Sequence, residues 1–255
     1  YGVDPETKTI DKYTLDNLII WDSPGFGDSP SADAEHGRNI INKLNEADTD
    51  TEGYALIDIV LVIIDGSSKD MGTSYELINK VIIPNLSDHK RLLVAINQCD
   101  AALKGKGWDH KLNKPMPELE KFLEEKAASV RRRIKDSTGV DIEPVYYSAL
   151  EKYNMSKLLN FIVSHTPEEK RFVYALNINA DPEIWKDDDR RCDYNKDTSE
   201  KIIGSLLAGV TGAAVGAAAG AVLGSILPGV GTAIGAAAGA VIGGISSFIG
   251  SIFGR

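Results

Sequence analysis

Asp58-Ile59-Val60-Leu61-Val62-Ile63-Ile64-Asp65 is an unbroken apolar run, mostly β-branched, held between two aspartates. A run without polar alternation is the pattern of a parallel strand buried on both faces. Parallel neighbours need a crossover rather than a hairpin, so this stretch commits the chain to layered α/β architecture. Two later runs fit the same sheet. Arg91 to Ile96 is strand-like and ends in Asn97-Gln98-Cys99-Asp100, and Glu143 to Tyr147 ends in Ser148-Ala149-Leu150. Earlier, the alternating run Tyr13 to Ile20 predicts one more strand, followed at once by Trp21-Asp22-Ser23-Pro24-Gly25-Phe26-Gly27-Asp28.

Helical spacing fills the gaps. Ser31 to Ala47 reads as a modest amphipathic helix with Ile40, Ile41 and Leu44 on one side. Thr73 to Ile83 is expected to be helical and to stop at Pro84. Lys104 to Leu119 reads as an irregular insert around Trp108. Pro117 to Lys135 is a charged helix that Gly139 ends, and Met155 to Ile162 supplies a closing helix. Thr166 to Thr198 is polar and reads as a linker or strut, with Phe172, Val173, Leu176 and Trp185 as candidates to pack back on the sheet.

Open α/β sheets bind ligands outside the carboxyl ends of their strands, where three of these loops begin. Asp22 puts a carboxylate at such an edge, and Mg²⁺ is commonly held by one or two carboxylates plus phosphate oxygens. Gly25 lacks a Cβ, so its N–H can approach a terminal phosphate closely. Asp22 to Gly25, Asn97 to Asp100 and Ser148 to Leu150, in that order, make the chain resemble the Era/TrmE-like, translation-factor-related P-loop GTPases. The insert around Trp108 resembles their YfjP-like branch. The resemblance implies the mostly parallel sheet of a G domain, GTP or GDP as ligand, and Mg²⁺. It implies that Asp22, Ser23, Pro24 and Gly25 sense the γ-phosphate, and that Asn97, Gln98 and Asp100 read guanine. Ser148, Ala149 and Leu150 would close over the base. Asp22 and Thr7 would hold the metal, and Gly25 and Asp28 are the catalytic candidates. A carboxylate at Asp100 accepts the N1 and N2 hydrogens of guanine, a pair adenine cannot donate. Gln98 departs from the usual Lys, whose stem covers the base plane.

The phosphate-cradling pattern Gly-x-x-x-x-Gly-Lys-[Ser/Thr] does not occur in the 255 residues. Two readings stay open: the first strand and its loop lie upstream of Tyr1, or the G domain no longer binds nucleotide. Either way the chain by itself is expected to bind nucleotide poorly. Phe26 occupies the neighbourhood where many GTPases place a water-orienting Gln. Hydrolysis would then rest on another group, such as Asp28, a dimer partner or a cation. The formal charge is −9, with 37 acidic against 28 basic residues, and only Arg255 is charged after Lys201. That balance argues against a nucleic-acid surface and lowers a ribosome-associated role. Arg131-Arg132-Arg133 reads as a solvated helix face. Cys99 and Cys192 lie far apart without metal spacing, which fits a reducing, cytoplasmic setting.

Residues 201–255 form a separate segment. Glycines recur every fourth position at 212, 216, 220 and 224, then at 235, 239 and 243, so each set lines one helix face. Leu227-Pro228-Gly229-Val230-Gly231 interrupts them. The halves Ile202–Ile226 and Thr232–Phe253 hold 25 and 22 residues. They are about 37 and 33 Å long as helices, against a hydrocarbon core of about 30 Å. A glycine-zipper helical hairpin is the expectation, associating with membrane or with itself; a soluble hairpin on the G domain is the alternative. Ala and Gly insert less readily than Leu or Ile. The expected organisation is a G domain over 1–166, a linker or strut over 167–200 and the hairpin over 201–255. Function is read as a GTP-hydrolysing switch coupled to that tail. The alternative is a membrane-inserting or structural effector with a degenerate, nucleotide-free G domain.

Overall fold

β4 (Leu92–Asn97) is the central strand, and Leu92 through Ile96 are all buried. The computed structural model describes residues 9–15, 18–27, 29–49, 54–69, 71–177, 181–186, 188–189 and 191–208. β3 (Val60–Asp65) pairs parallel to β4 on one side, from Val60↔Leu92 to Asp65↔Asn97. β7 (Val145–Tyr146) pairs parallel on the other, with Ala95↔Val145 and Ile96↔Tyr146. Period-2 alternation sends Val94 and Ile96 to one face and Ala95 to the other. The first face is covered by α4 (Pro117–Thr138), whose Leu119, Leu123, Val130 and Ile134 are fully buried at helical spacing. Burying each contributes about 1.5–3 kcal/mol. Gly139 ends α4 in the left-handed region (φ 76°), where its N–H reaches the Lys135 carbonyl at 2.8 Å. The second face is covered by α5 (Met155–His165) through Met155 and Leu158, with Tyr147 and Trp185 beside them.

The expectation of one strand over Tyr13 to Ile20 is corrected. β1 (Asp11–Leu15) and β2 (Leu18–Asp22) form an antiparallel hairpin with Leu15 opposite Leu18. Only Asp16 and Asn17 separate them, and both residue types favour turns, which an alternation count overlooks. Among the described residues β2 pairs only with β1, and β3 only with β4. The sheet is thus a three-stranded parallel one with a separate antiparallel hairpin, rather than one continuous parallel sheet. β3 also differs from a strand buried on both faces, because Ile63 is 42 % exposed. α5 lies over β4 and β7 and leaves that end of the face uncovered.

Pro84 does not stop its helix. α2 (Gly72–Glu76) runs into a π turn, Leu77–Ile82, and then α3 (Ile83–Asn85), which contains the proline. A proline ring clashes with the carbonyl four residues back, and a wider turn just before it relieves the clash. The insert after β4 holds an irregular turn, Ala102–Gly105, with Leu103 and Lys104 in left-handed conformations, and a short ribbon of β5 (Trp108–Asp109) and β6 (Lys114–Pro115). α1 (Pro30–Leu44) is capped by Ser29, whose hydroxyl accepts from the Ala32 N–H at 3.2 Å.

Residues after 166 are more than a tether. Trp185, in the 3₁₀ turn Pro182–Trp185, is buried against the second face, whereas Phe172 is 38 % exposed. α6 (Tyr194–Ala208) packs along α5, with Ile202 buried against Val163. The boundary expected at residue 200 therefore falls inside a helix. Most of the glycine-rich tail, residues 209–255, lies outside the described residues, as do Thr7 and Asp28. Among the described residues no helix is long and apolar enough to cross a membrane. The basic triplet is partly engaged: Arg131 forks onto Asp141 at 2.6 and 3.1 Å, and Arg133 lies over the Tyr75 ring.

Candidate functional site

The carboxyl ends of β4 and β7 are knitted into one rim. Tyr147 N–H donates to the Ile96 carbonyl at 2.8 Å, and Cys99 N–H donates to the Tyr147 carbonyl at 3.1 Å. Asn97 then ties the two loops with its side chain. Its Oδ1 accepts from the Gln98 N–H at 2.8 Å and from the Ala149 N–H at 3.1 Å. The sequence pairs Asn97–Asp100 with Ser148–Leu150 only by analogy; the structure brings them into direct contact.

Within this rim the residues divide by exposure. Gln98 is exposed with a left-handed backbone (φ 57°), an uncommon conformation for a residue with a Cβ. Cys99 is fully buried, and that burial, reinforced by the Asp100 charge, pushes its thiol far above the usual range. Asp100 keeps one carboxylate oxygen buried without a hydrogen-bond partner. Such an acceptor is costly unless a donor reaches it. Leu150 is 75 % exposed. Ser148 is fully buried: its Oγ accepts from the Glu151 N–H at 3.1 Å, and its backbone pairs both ways with Tyr153. Ser148 therefore shapes the loop, Ala149 packs partly buried against the second face, and Leu150 faces outward.

The Asp22–Gly25 turn belongs to the hairpin, on the sheet not hydrogen-bonded to β3–β4–β7. Asp22 and Ser23 are exposed and Pro24 is buried. A Cβ added at Gly25 would meet no atom within 4 Å, so packing does not require a glycine there. α1 fixes the turn instead. His36 Nδ1 donates to the Gly25 carbonyl at 3.3 Å, and Gly27 N–H donates to Asp33 Oδ1 at 2.9 Å. Phe26 reaches Gly37 of α1, where an added Cβ would lie 3.4 Å from the ring and 3.5 Å from Val81. Phe26 thus anchors the turn between helices, a role that His36, Gly37 and Ile40 on one buried helix face could have signalled.

Two supports were not legible beforehand. Gly66 follows β3 and donates its N–H to the Asn97 carbonyl at 2.7 Å; a Cβ there would sit 2.4 Å from that oxygen. Lys126 of α4 donates to the Gly66 carbonyl, and to the Ser68 carbonyl at 2.7 Å. Burial lowers its pKa, against the pull of the Asp65 charge. Among the described residues no group of three His, Cys, Asp or Glu side chains gathers for a metal. Asp22 lies at the hairpin's end opposite Asp11, a donor set that fits Mg²⁺ only with phosphate oxygens and water completing the shell. A scan against known protein families, a search of curated proteins and a search of solved structures return no match for this chain.

Proposed function

We propose that this chain is a GTP-binding switch that hydrolyses GTP to GDP, with a G domain of the Era/TrmE-like kind. The observation that carries the reading is the junction of Asn97 with Ala149 beside the unpartnered Asp100 carboxylate oxygen. A rigid tie next to a buried, donor-seeking carboxylate is what reading the N1 and N2 hydrogens of guanine requires. Among the described residues one edge of β2 and one edge of β3 pair with no strand and Ile63 is exposed, which supports the same reading. One parallel strand followed by a helix would pair both edges and cover that side chain. A strand so placed would deliver a phosphate-binding loop to the carboxyl rim, between the Asp22 turn and the base loop. Asp22 would hold Mg²⁺ there, and Gly25 has the free space for a terminal phosphate.

Competition for a fluorescent guanine nucleotide tests the base assignment. GDP is expected to displace it and ADP to fail, with weak affinity in this chain. Equal competition by ADP would sink the guanine reading.

The glycine-rich tail is proposed to associate with a membrane or with a second tail, leaving the G domain on the cytoplasmic side. The charge-free composition from Ile202 to Gly254 motivates this. Lipid vesicles should carry the 255-residue chain upward in a density gradient and leave a chain ending at Ala208 behind. Equal flotation of the two would refute membrane association through the tail.

A further inference from the structure

The loop that follows β7 has an unusual backbone. Lys152 (φ 54°) and Asn154 (φ 56°) both adopt left-handed conformations, which a lysine in particular resists. Such a shape persists only where its surroundings hold it. The holding groups come from residues 181–194, which the sequence reads as a linker. Asp188 Oδ2 accepts the Asn154 N–H at 2.7 Å, and Asp181 Oδ2 pairs with Lys152 Nζ at 2.7 Å. Asn154 is itself buried and donates Nδ2 to the Tyr146 carbonyl at 3.1 Å, so its position is shared with the end of β7. The same segment is fixed around these contacts. Ser156 Oγ donates to the Lys186 carbonyl at 2.6 Å, Lys157 pairs at 2.6 Å with Asp189, whose side chain is shielded from solvent, and Arg191 pairs with Glu124 of α4.

The loop is therefore gripped from both ends: Asn97 on Ala149, and the two aspartates on Lys152 and Asn154. We propose that Asp188 and Asp181 are positioning residues for the base-closing loop, and that residues 181–186, 188–189 and 191–194 form a strap whose docking and nucleotide occupancy favour each other. This rests on the guanine reading above. Reciprocity follows from linkage: whatever tightens the loop for the base tightens the strap by the same factor. The strap runs directly into α6 and so towards the tail. It gives a physical route from base site to tail that adjacency alone does not supply.

Amide hydrogen exchange on the 255-residue chain tests this, with and without saturating GDP. In the free protein Asp188→Asn should speed exchange at Asn154 by about tenfold, the loss expected for a hydrogen bond to a charged acceptor. Exchange in β4 and α4 should stay unchanged, which shows the fold intact, and Asp188→Glu should recover part of the protection. Asp181→Asn provides a second, milder variant at an exposed pair. GDP should slow exchange at 97–100, at 148–154 and across 181–194 in the wild type, and this protection of the strap should vanish in Asp188→Asn. Protection of 97–100 and 148–150 with 181–194 unchanged would overturn the coupling and leave the guanine site standing. If GDP protects none of these amides, the guanine reading falls and the coupling falls with it.

Discussion

If Asp100 reads guanine as proposed, Asp100→Asn should exchange a preference for guanine for one for xanthine. The carboxylate presents two acceptors, and one of its oxygens is buried without a partner. Guanine would supply the missing donors. An asparagine amide turns one acceptor into a donor, which faces the guanine 2-amino group unfavourably and suits the 2-oxo group of xanthine. Each mismatch of a buried hydrogen-bonding pair costs about 1–3 kcal/mol, so GDP affinity should fall roughly a hundredfold. Xanthosine diphosphate should rise correspondingly. Folding should not suffer, because the change is isosteric and a neutral amide is cheaper to bury than a carboxylate. Competition binding with the two diphosphates, run beside thermal unfolding, reads both effects. Unchanged GDP affinity in a folded variant would show that Asp100 does not read the base.

The residues that the sequence placed well are those whose environment is set locally. β4 is legible because burial on both faces leaves no polar position in Leu92–Ile96. Asn97 and Ser148 are legible because they follow strands directly, and strand ends share a rim in a parallel sheet. The hairpin was misread because Asp16 and Asn17 sit inside an alternation that a single strand also satisfies. Pro84 was misread as a stop because a π turn can absorb a proline that an α-helix cannot. Residues 167–200 looked like a linker because their polarity is high, yet their aspartates spend it on partners far away in the chain. Asp188 meets Asn154 and Asp189 meets Lys157 across more than thirty positions. Lys126 was hidden for a similar reason. On a helix so rich in Glu and Lys nothing marks it out, and its role comes from carbonyls about sixty residues earlier.

Gly66→Ala is expected to be the most damaging single-methyl change near the site. The added Cβ would lie 2.4 Å from the Asn97 carbonyl oxygen, 3.2 Å from Ile96 Cγ2 and 3.3 Å from the Gln98 carbonyl oxygen. None of the backbone atoms can step aside as the tip of a flexible side chain could. Relief requires β3 and the loop over 97–100 to part, which breaks the 2.7 Å bond from Gly66 N–H to Asn97 and disturbs the carbonyls that Lys126 holds. Overpacking and one lost hydrogen bond together cost about 2–4 kcal/mol. For a domain of this size that lowers Tm by roughly 5–15 °C. Guanine nucleotide affinity should fall as well, because Asn97 moves and carries Ala149 with it. Gly25→Ala is the matched comparison. Its Cβ meets nothing within 4 Å, and its backbone is not in the left-handed region, so Tm should hold or rise slightly. If that glycine serves a phosphate, nucleotide binding alone should weaken there. Thermal unfolding and nucleotide titration of the two variants side by side separate a glycine demanded by packing from one demanded by a ligand. A Gly66→Ala protein with unchanged Tm would mean that the close approach of β3 to the base loop does not hold that loop in place.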